Sequence, residues 1–461
     1  MRETKRTMMW YEFYQDANIE EHLENMAFNG WRLEKIGFLW RYRRAEPARV
    51  RYSVTYFSES SEFNPSPTEN EETLREYCAA AGWDFVAAWH QMLIFSTSRE
   101  DAPPIETEGA VKLEAIHRAM KKNFLPSGFV ILALFGFNLA MQLRLAGRNL
   151  PSFLSDGVQL GAALMMLLLV FHFVSILCSY FLWYRDAKRS VEQGGPCPKR
   201  RSRFARARQT FLLAAAVSVV LFMYIPAAVR VGRGTLETLL FLLCGYGFMG
   251  VVIQLVRGWL KRRGVSAWTN RIVSIGLAFV LGAGIMGGSV FYTLRIHKNV
   301  QSGGAETEVY ATRYGTEREL RRDPLPLKIE DLQPIEELPW SYELTEHWSP
   351  LALLREGWQV EYEGLESLDY EIFDVKTDLL YRACLRDYLK TEELGGQCRL
   401  EYSAADEEQW GANAAYRLSI DGEEMDTWLL CRNRRIVKIT FDWTPTPAQM
   451  ALTGEKLLAG A

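Results

Sequence analysis

The stretch that decides the fold is VQLGAALMMLLLVFHFVSILCSYFLW, residues 158–183, which contains no Asp, Glu, Lys or Arg. As a helix these 26 residues would exceed the hydrocarbon core of a bilayer, which is about 30 Å thick. Four further apolar stretches lie near it, at 124–143, 211–229, 236–256 and 272–294. Five such stretches in one block predict a five-helix transmembrane bundle rather than the buried helices of a soluble protein.

The charges divide the chain into three unlike parts. The net charge is −7 over residues 1–111, +19 over residues 112–298 and −15 over residues 299–461, which together give −3 for the 461 residues. Because 48% of the residues are hydrophobic and 13% are aromatic, the chain can form packed cores and is not of the disordered class. We therefore predict a multi-domain membrane protein with an N-terminal domain (1–111), a transmembrane block (112–298) and a C-terminal domain (299–461).

The basic residues predict the topology. Eighteen Lys and Arg lie in 112–123, 185–210 and 257–271, against six in the loops on the other side. Basic loops stay in the cytoplasm, so we expect a multi-pass protein of the cell membrane with a cytoplasmic N-terminus and an extracytoplasmic C-terminus. The beginning of the sequence shows no apolar segment typical of a cleavable signal peptide, which agrees with this expectation. The cluster at 199–208 is better explained by anionic lipid than by nucleic acid.

Small and polar residues within the predicted helices are candidate contact sites. Gly284 and Gly288 form a GxxxG pattern, and Gly245 and Gly250 lie in the preceding helix. Such residues allow close helix packing, either within the bundle or in a homodimer, and the sequence does not choose between these. His172 lies in the middle of its helix, where an ionisable group is costly and therefore a functional candidate. No chain of ionisable residues accompanies it, as proton relays require.

A repeated pattern predicts the N-terminal fold. An amphipathic segment ends at Gly30-Trp31, and a second ends at Gly82-Trp83. Each glycine suits the left-handed position after a helix, and each Trp can begin a strand. Strands at 38–43 and 50–57, then at 83–89 and 92–96, complete two α-β-β copies. This order predicts an α+β domain with helices on one face of an antiparallel sheet.

The C-terminal domain is also predicted to be α+β. A third helix-Gly-Trp-strand pattern is expected at 353–362, and a helix at 373–389. Strands follow near 398–403, 416–421, 426–431 and 436–443, with a hairpin turn at 432–435. Thr446 and Pro447 predict the N-cap and first position of a last helix.

Catalytic, cofactor-binding and metal-binding motifs are absent from the sequence. It contains no Walker loop, no GxGxxG, no CxxC and no nucleophile elbow. The seven cysteines have no zinc-type spacing with the six histidines. We therefore expect no enzyme activity, no metal and no cofactor. Whether two of Cys384, Cys398 and Cys431 form a disulfide stays open.

The Gly-Trp helix ends, the aromatic hairpin and the basic helix that leads into the apolar block resemble the family known as domain of unknown function 2812 (DUF2812), over roughly residues 8–125. The resemblance implies this architecture and membrane residence, and no catalytic residues. Members of the family are often encoded beside transcriptional regulators, so the resemblance favours a regulatory or stress-related role.

The architecture supports two hypotheses on function. The first is a non-enzymatic sensor, regulator or envelope-interaction component that couples the outer domain to the inner one, with a cytoplasmic protein partner bound through residues 1–111. The second, which rests on His172 and the glycine-rich helices, is a transporter or an accessory subunit of a transporter.

Overall fold

The computed structural model describes residues 3–8, 11–37, 39–106, 108–198, 202–225, 233–301, 308–311, 317–335, 339–361, 366–394 and 398–459. The chain forms two compact units. The first contains Met1–Asn138, Met166–Val217 and Phe241–Gly288, and the second contains Leu139–Met165, Ser218–Leu240 and Ser289–Ala461. Each unit combines a mixed α+β part with segments of the apolar helices.

The α+β part of the first unit contains two copies of a β-α-β-β arrangement. Each copy forms a three-stranded antiparallel sheet, and the strand orders are β1-β3-β2 and β4-β6-β5. The elements are β1 (Thr4–Thr7), α1 (Asp16–Phe28), β2 (Trp31–Lys35), β3 (Trp40–Arg44), β4 (Arg51–Tyr56), α2 (Glu69–Ala80), β5 (Asp84–Trp89) and β6 (Met92–Thr97).

The two copies share an irregularity that shows their equivalence. The β2–β3 ladder shifts register between Leu33 and Lys35, and the β5–β6 ladder shifts between Phe85 and Ala87. Both pairs are offset by 52 residues, as Gly30 and Gly82 are. An inserted residue at the same place in both hairpins is a local feature that only corresponding strands would share.

The prediction of one sheet built from two α-β-β copies is wrong. The strand predicted at 50–57 does not pair with the strand predicted at 38–43, because β4 pairs with β6, from Arg51 opposite Thr97 to Tyr56 opposite Met92. It is the first strand of the second copy, and β1 has this place in the first. Strands on the two sides of a helix pair through non-local contacts, which the local pattern does not encode.

The helix ends that carry the repeated motif have the predicted geometry. Gly30 and Gly82 have φ of 77° and 87°, in the left-handed region that favours glycine. After α2, the Trp83 N–H donates to the Cys78 carbonyl at 2.9 Å and the Gly82 N–H donates to the Ala79 carbonyl at 3.0 Å. This pair of bonds is the Schellman pattern that ends a helix and directs the chain into a strand.

Within the described residues, four helices are long and apolar enough to cross a membrane: Gly109–Ala146, Gly157–Glu192, and the segments Leu240–Arg262 and Ala267–Ser289 of two longer helices. In their most apolar windows 0–22% of residues are buried within the chain, which leaves the apolar side chains available to lipid. In chain order the helices of this block are α3 (Gly109–Ala146, with a π-helical turn at Met120–Phe124), α4 (Leu150–Ser155), α5 (Gly157–Glu192), α6 (Ser202–Val219, followed by a π-helical turn at Val220–Tyr224), α7 (Arg233–Arg262) and α8 (Ala267–Gln301).

The predicted third span, at 211–229, is only partly described. Its apolar helical stretch is Ala207–Phe222, which is shorter than the other four. Residues 226–230 lie outside the described part of the chain. Four candidate spans therefore lie within the described residues, and the fifth stays a prediction.

The α+β part of the second unit is an antiparallel sheet with a core on each face. Seven long strands and one three-residue edge strand have the order β12-β13-β14-β15-β16-β11-β10-β9. The elements are β7 (Glu308–Ala311) and β8 (Glu317–Leu320), which form a separate hairpin, then α9 (Ile329–Leu332), β9 (Trp340–Trp348), β10 (Ala352–Glu361), β11 (Ser367–Val375), α10 (Asp378–Tyr388), β12 (Glu392–Leu394), β13 (Cys398–Ala405), β14 (Ala414–Ile420), β15 (Glu423–Arg432), β16 (Arg435–Phe441) and α11 (Pro447–Leu458).

Two expectations for this domain are wrong. The residues of the third helix-Gly-Trp pattern form β10, in which Gly357 lies beneath the Tyr370 ring; a Cβ there would lie 2.4 Å from the ring carbon Cζ. The helix expected at 373–389 begins only at Asp378, because Phe373 belongs to β11. The last helix has its expected start, since the Thr446 hydroxyl accepts from the Gln449 N–H.

All seven cysteines are free thiols, which answers the question that the sequence left open. Cys384 and Cys431 are buried in one apolar cluster, whereas Cys398 is exposed. Burial raises the pKa of the Cys384 thiol to about 12 and that of Cys431 to about 11. Both are therefore protonated packing residues rather than reactive thiolates.

Candidate functional site

The corresponding loop of both β-α-β-β copies contacts the apolar helices. This loop joins the first strand of a copy to its helix; its described residues are 8 and 11–15 in the first copy and 57–68 in the second. Each loop contains a Glu-Phe pair, Glu12-Phe13 and Glu62-Phe63. We call the described contact segments, 11–14 and 58–63, the first and second Glu-Phe loops.

The first Glu-Phe loop forms a buried ion pair with α6. The Arg208 guanidinium bonds to the Glu12 carboxylate, and only 7% and 9% of these side chains are exposed. The same guanidinium donates to the Ser175 and Ser179 hydroxyls of α5 at 3.2 and 3.1 Å. The Tyr14 hydroxyl donates to the second carboxylate oxygen. These bonds compensate for the burial of two charges, which would otherwise be unfavourable.

Aromatic side chains of the first Glu-Phe loop pack against α3 and α5. The Phe13 ring lies 4.4 Å from that of Phe124, and the Tyr14 ring lies 5.0 Å from that of Trp183, measured between centroids. The Tyr56 hydroxyl of β4 donates to the Phe13 carbonyl. The loop is therefore attached to the sheet on one side and to two helices on the other.

The second Glu-Phe loop makes the corresponding contacts with α7 and α8. The Glu62 carboxylate lies 2.7 Å from the Arg257 guanidinium. The guanidinium of Arg271 lies 5.4 Å from the centroid of the Phe63 ring, a cation–π arrangement. The fully buried Asn270 donates from its side-chain amide to the Phe63 carbonyl at 3.2 Å. Both loops thus combine a glutamate–arginine pair with a packed phenylalanine.

These contacts fall at corresponding ends of the predicted spans. Phe124 begins the first span and Trp183 ends the second, while Arg208 lies just before the third. Arg257 follows the fourth span directly, and Asn270 lies just before the fifth. Each of these ends adjoins one of the three basic loops. The two Glu-Phe loops together therefore contact residues at or beside one end of each of the five predicted spans, the end that the charge pattern predicts to be cytoplasmic.

An acidic cluster beside α1 has a structural role. Glu20 accepts from the Val54 N–H at 2.9 Å and Glu24 from the Tyr52 N–H at 3.3 Å, so two carboxylates one helical turn apart satisfy the free edge of β4. Burial raises the pKa of Glu20, and the nearby Lys112 ammonium opposes this shift. Within the described residues no group of His, Cys, Asp and Glu has the arrangement of a metal site.

Comparison with known proteins finds a family whose model matches this region. Residues 15–127 match the family described as Protein of unknown function (DUF2812). The match confirms the resemblance and includes both Gly-Trp motifs, α1, α2 and the beginning of α3. The second Glu-Phe loop lies within the DUF2812 region, and the first lies directly before it. No curated protein and no solved structure matches the chain.

The Gly-Trp residues of the DUF2812 region lie outside the two contact loops. The Trp83 indole is buried, and its Nε1–H donates to the Pro103 carbonyl at 2.7 Å. The Trp31 ring is half-buried between the Arg44 guanidinium and the Lys5 ammonium, 5.0 and 5.7 Å from its centroid. The contacts of both tryptophans are those of residues that close the turn between a helix and the following strand.

His172 lies one turn of α5 away from Ser175, which binds the Arg208 guanidinium of the Glu12–Arg208 ion pair. It is three residues from Ser175 and seven from Ser179, so the three side chains share one face of the helix. The Nδ1 atom is buried and has no hydrogen-bond partner among the described residues. A histidine with a purely structural role would be a neutral imidazole hydrogen-bonded across the bundle, and the described residues provide no such bond at this nitrogen.

The four candidate packing glycines have unlike surroundings. A Cβ at Gly245 would lie 3.1 Å from the Ile285 side chain, and one at Gly288 would lie 3.3 Å from the Phe241 ring, so both glycines lie where α7 and α8 meet. A Cβ at Gly250 or Gly284 would have no described atom within 4 Å.

We therefore expect Gly288→Leu to lower the melting temperature of the detergent-solubilised protein, because the added side chain would separate α7 from α8. Gly284→Leu is the matched control within the same GxxxG pattern, and it should melt like the parent. Equal melting of both variants would contradict this assignment, whereas a loss of dimer on size exclusion with Gly284→Leu would assign Gly284 to an interface between copies.

Sequence reasoning missed the residues that form the contact. Arg208 was included in the basic loop and explained by topology, and Glu12 and Glu62 were not singled out. The recurrence of Glu-Phe after 50 residues was the available indication. The two Glu-Phe pairs lie in segments of different composition, and only the strand order shows that the two loops correspond.

Proposed function

We propose that this chain is a non-enzymatic integral membrane protein in which five helices couple an extracytoplasmic domain (299–461) to a cytoplasmic domain (1–111), as a sensor, regulator or envelope-interaction component. The observation that carries the proposal is the pair of Glu-Phe loops. They attach one domain to the corresponding ends of all five predicted spans through two glutamate–arginine pairs. A domain attached in this way responds to a shift of any of these helices.

The second unit contains the counterpart of this attachment. Phe153 and Leu154, in the short helix α4 between α3 and α5, pack in one cluster with Leu354 and Phe373 of the C-terminal sheet. The Leu150 N–H donates to the Asp387 carboxylate at 2.7 Å. The α3–α5 hairpin therefore contacts the C-terminal domain at its connecting segment, while Phe124 and Trp183, at the other ends of the same helices, contact the first Glu-Phe loop. This supports domains on opposite sides of the bilayer.

The proposed topology is tested by cysteine labelling in intact cells with a membrane-impermeant maleimide, in a background without native cysteines. Ser403→Cys, on an exposed position of β13, should react before lysis, and Ser66→Cys, in an exposed part of loop 57–68, only after it. Ser60, in the same loop, is unsuitable for labelling because only 6% of the residue is exposed. Reaction of Ser66→Cys in unbroken cells would overturn the orientation.

Coupling is tested by hydrogen exchange of the full chain in nanodiscs. Phe153→Ala removes a buried ring where α4 meets the sheet and should raise amide exchange in residues 11–14, because the perturbation reaches them through α3 and α5. Met450→Ala is the matched control, since it truncates a buried side chain in the cluster on the other face of the same sheet. Unchanged exchange in both variants, or an equal rise in both, would contradict the coupling.

A transporter or an accessory subunit of a transporter is the second candidate. It is favoured by His172, whose buried Nδ1 lacks a described partner, on the same helix face as the serines that bind Arg208. Flux in proteoliposomes that is lost in His172→Gln at an unchanged protein level would support transport over coupling.

A further inference from the structure

We propose that the outer face of the β1-β3-β2 sheet binds the anionic headgroups of the bilayer in which the helices lie. This face, which we call the basic face, consists of Arg6, Arg32, Lys35, Arg41 and Arg43. The inference rests on the proposed membrane residence and adds a lipid-binding surface to the DUF2812 region and the strand that precedes it.

Strand register places these cations together. Arg6 lies opposite Arg41, Arg41 opposite Lys35, and Arg43 opposite Arg32. The alternate residues Leu33, Trp40 and Tyr42 are buried in the core. Side chains alternate between the two faces of a strand, and the register shift between Leu33 and Lys35 brings Lys35 opposite Arg41. The five cations are therefore directed away from that core.

The arrangement is unfavourable for the isolated domain. Like charges directly opposite each other in a sheet are destabilising, and this face contains three such pairs. Glu34 is the one acidic residue of the three strands, and its carboxylate pairs with Arg41 at 2.9 Å. The surrounding residues 1–111 have a net charge of −7, yet five of the seven cations of these strands lie on one face. An anionic partner would relieve this repulsion.

The position of the basic face in the molecule favours lipid over nucleic acid as its ligand. Thr7 ends β1 only four residues before Tyr11, the first described residue of the first Glu-Phe loop. Four residues span at most about 14 Å, so the sheet lies close to the helix ends that this loop contacts. The basic face also has no aromatic side chain, whereas sheets that bind single-stranded nucleic acid stack bases on aromatic residues.

The test uses the full chain in nanodiscs, with Thr4→Cys as the one cysteine. Thr4 is exposed and lies opposite Arg43. Its reaction with uncharged N-ethylmaleimide should be at least about fivefold slower in discs containing phosphatidylglycerol than in pure phosphatidylcholine, because each cation near an anionic surface contributes about a fivefold preference. High salt should remove the difference. Both leaflets of a disc have the same lipid, so the result does not depend on the orientation of the chain.

Two double variants show which cations are responsible. Arg6→Gln with Arg43→Gln should abolish the lipid dependence, whereas Arg49→Gln with Arg99→Gln, which makes the same charge change elsewhere in the domain, should retain it. Equal reaction rates in the two lipids, or equal effects of the two double variants, would overturn the proposal. Slower reaction on adding single-stranded RNA to phosphatidylcholine discs, without any effect of phosphatidylglycerol, would assign the face to nucleic acid instead. Coupling between the domains would stand in either case, since the Phe153→Ala experiment tests it separately.

Discussion

Replacing Arg208 by Met is expected to lower the free energy of unfolding by about 3–5 kcal/mol, because it leaves the Glu12 carboxylate buried without its partner. The pair is 7% and 9% exposed, and the guanidinium also holds Ser175 and Ser179 of α5. Loss of the cation therefore removes the ion pair of the first Glu-Phe loop with α6 and the hydrogen bonds between α6 and α5. The measurement is the denaturation midpoint of the full chain in detergent.

A double-mutant cycle separates the ion pair from other effects of truncation. Glu12→Gln combined with Arg208→Met should be less destabilising than the sum of the single variants, by about 1–3 kcal/mol, since residues in one network do not act additively. Arg118→Met is the control, because Arg118 pairs with Glu114 on the surface, with 64% and 67% of the side chains exposed. A midpoint for Arg208→Met no lower than that of the control would contradict the assigned role of the pair.

The two Glu-Phe loops are not expected to contribute equally. The Glu62–Arg257 side chains are 29% and 27% exposed, and solvent weakens their attraction. Burial lowers the pKa of His90, although the Glu62 carboxylate, 3.7 Å from its Nδ1, acts to raise it. The histidine is therefore neutral near neutral pH and does not compete with Arg257 for that carboxylate. The first loop is the stronger attachment, and the second is more easily displaced.

Local patterns explain what the sequence could predict. Apolar length identified the four long helices, and the Gly-Trp pattern identified two helix ends, because both depend on neighbouring residues. Strand partners depend on distant residues: β4 was assigned to the preceding hairpin, although its partner is β6, beyond α2. The same Gly-Trp pattern at Gly357 belongs to a strand, since there the missing side chain accommodates the Tyr370 ring.

Counting charges along the sequence could not identify the contact site, because that site also depends on distant residues. Nine Lys and Arg lie in residues 185–210, and topology explains them as a group. Only the structure separates Arg208, whose guanidinium is buried, from cations such as Arg185, with 58% of its side chain exposed. Burial of a charge is a tertiary property. No count of loop charges can therefore distinguish a residue that orients a membrane protein from one that attaches a domain to its helices.

Among the described glycines of the C-terminal domain, Gly454, in the middle of α11, leaves the least room for a Cβ. This helix packs on the segment that contains Trp410, a side chain that is 1% exposed in the core. A Cβ at Gly454 would lie 1.8 Å from the Trp410 carbonyl oxygen and 2.7 Å from the carbonyl carbon. Both are backbone atoms, which cannot move by a change of rotamer, so α11 itself would have to shift.

Gly454→Ala should therefore destabilise the domain by more than about 3 kcal/mol, although alanine is the better helix former by about 1 kcal/mol. The sign of the change in stability decides between the two effects. Helix propensity alone predicts stabilisation, whereas the backbone contact predicts that α11 detaches from the sheet. The measurement is thermal melting of the full chain, together with tryptophan fluorescence, since a shift of α11 opens the environment of Trp410. Glu455→Ala, at the next and exposed position of α11, supplies the control and should melt like the parent. A Gly454→Ala protein at least as stable as the parent would show that α11 does not approach the Trp410 backbone, and the packing of this face of the sheet would have to be revised.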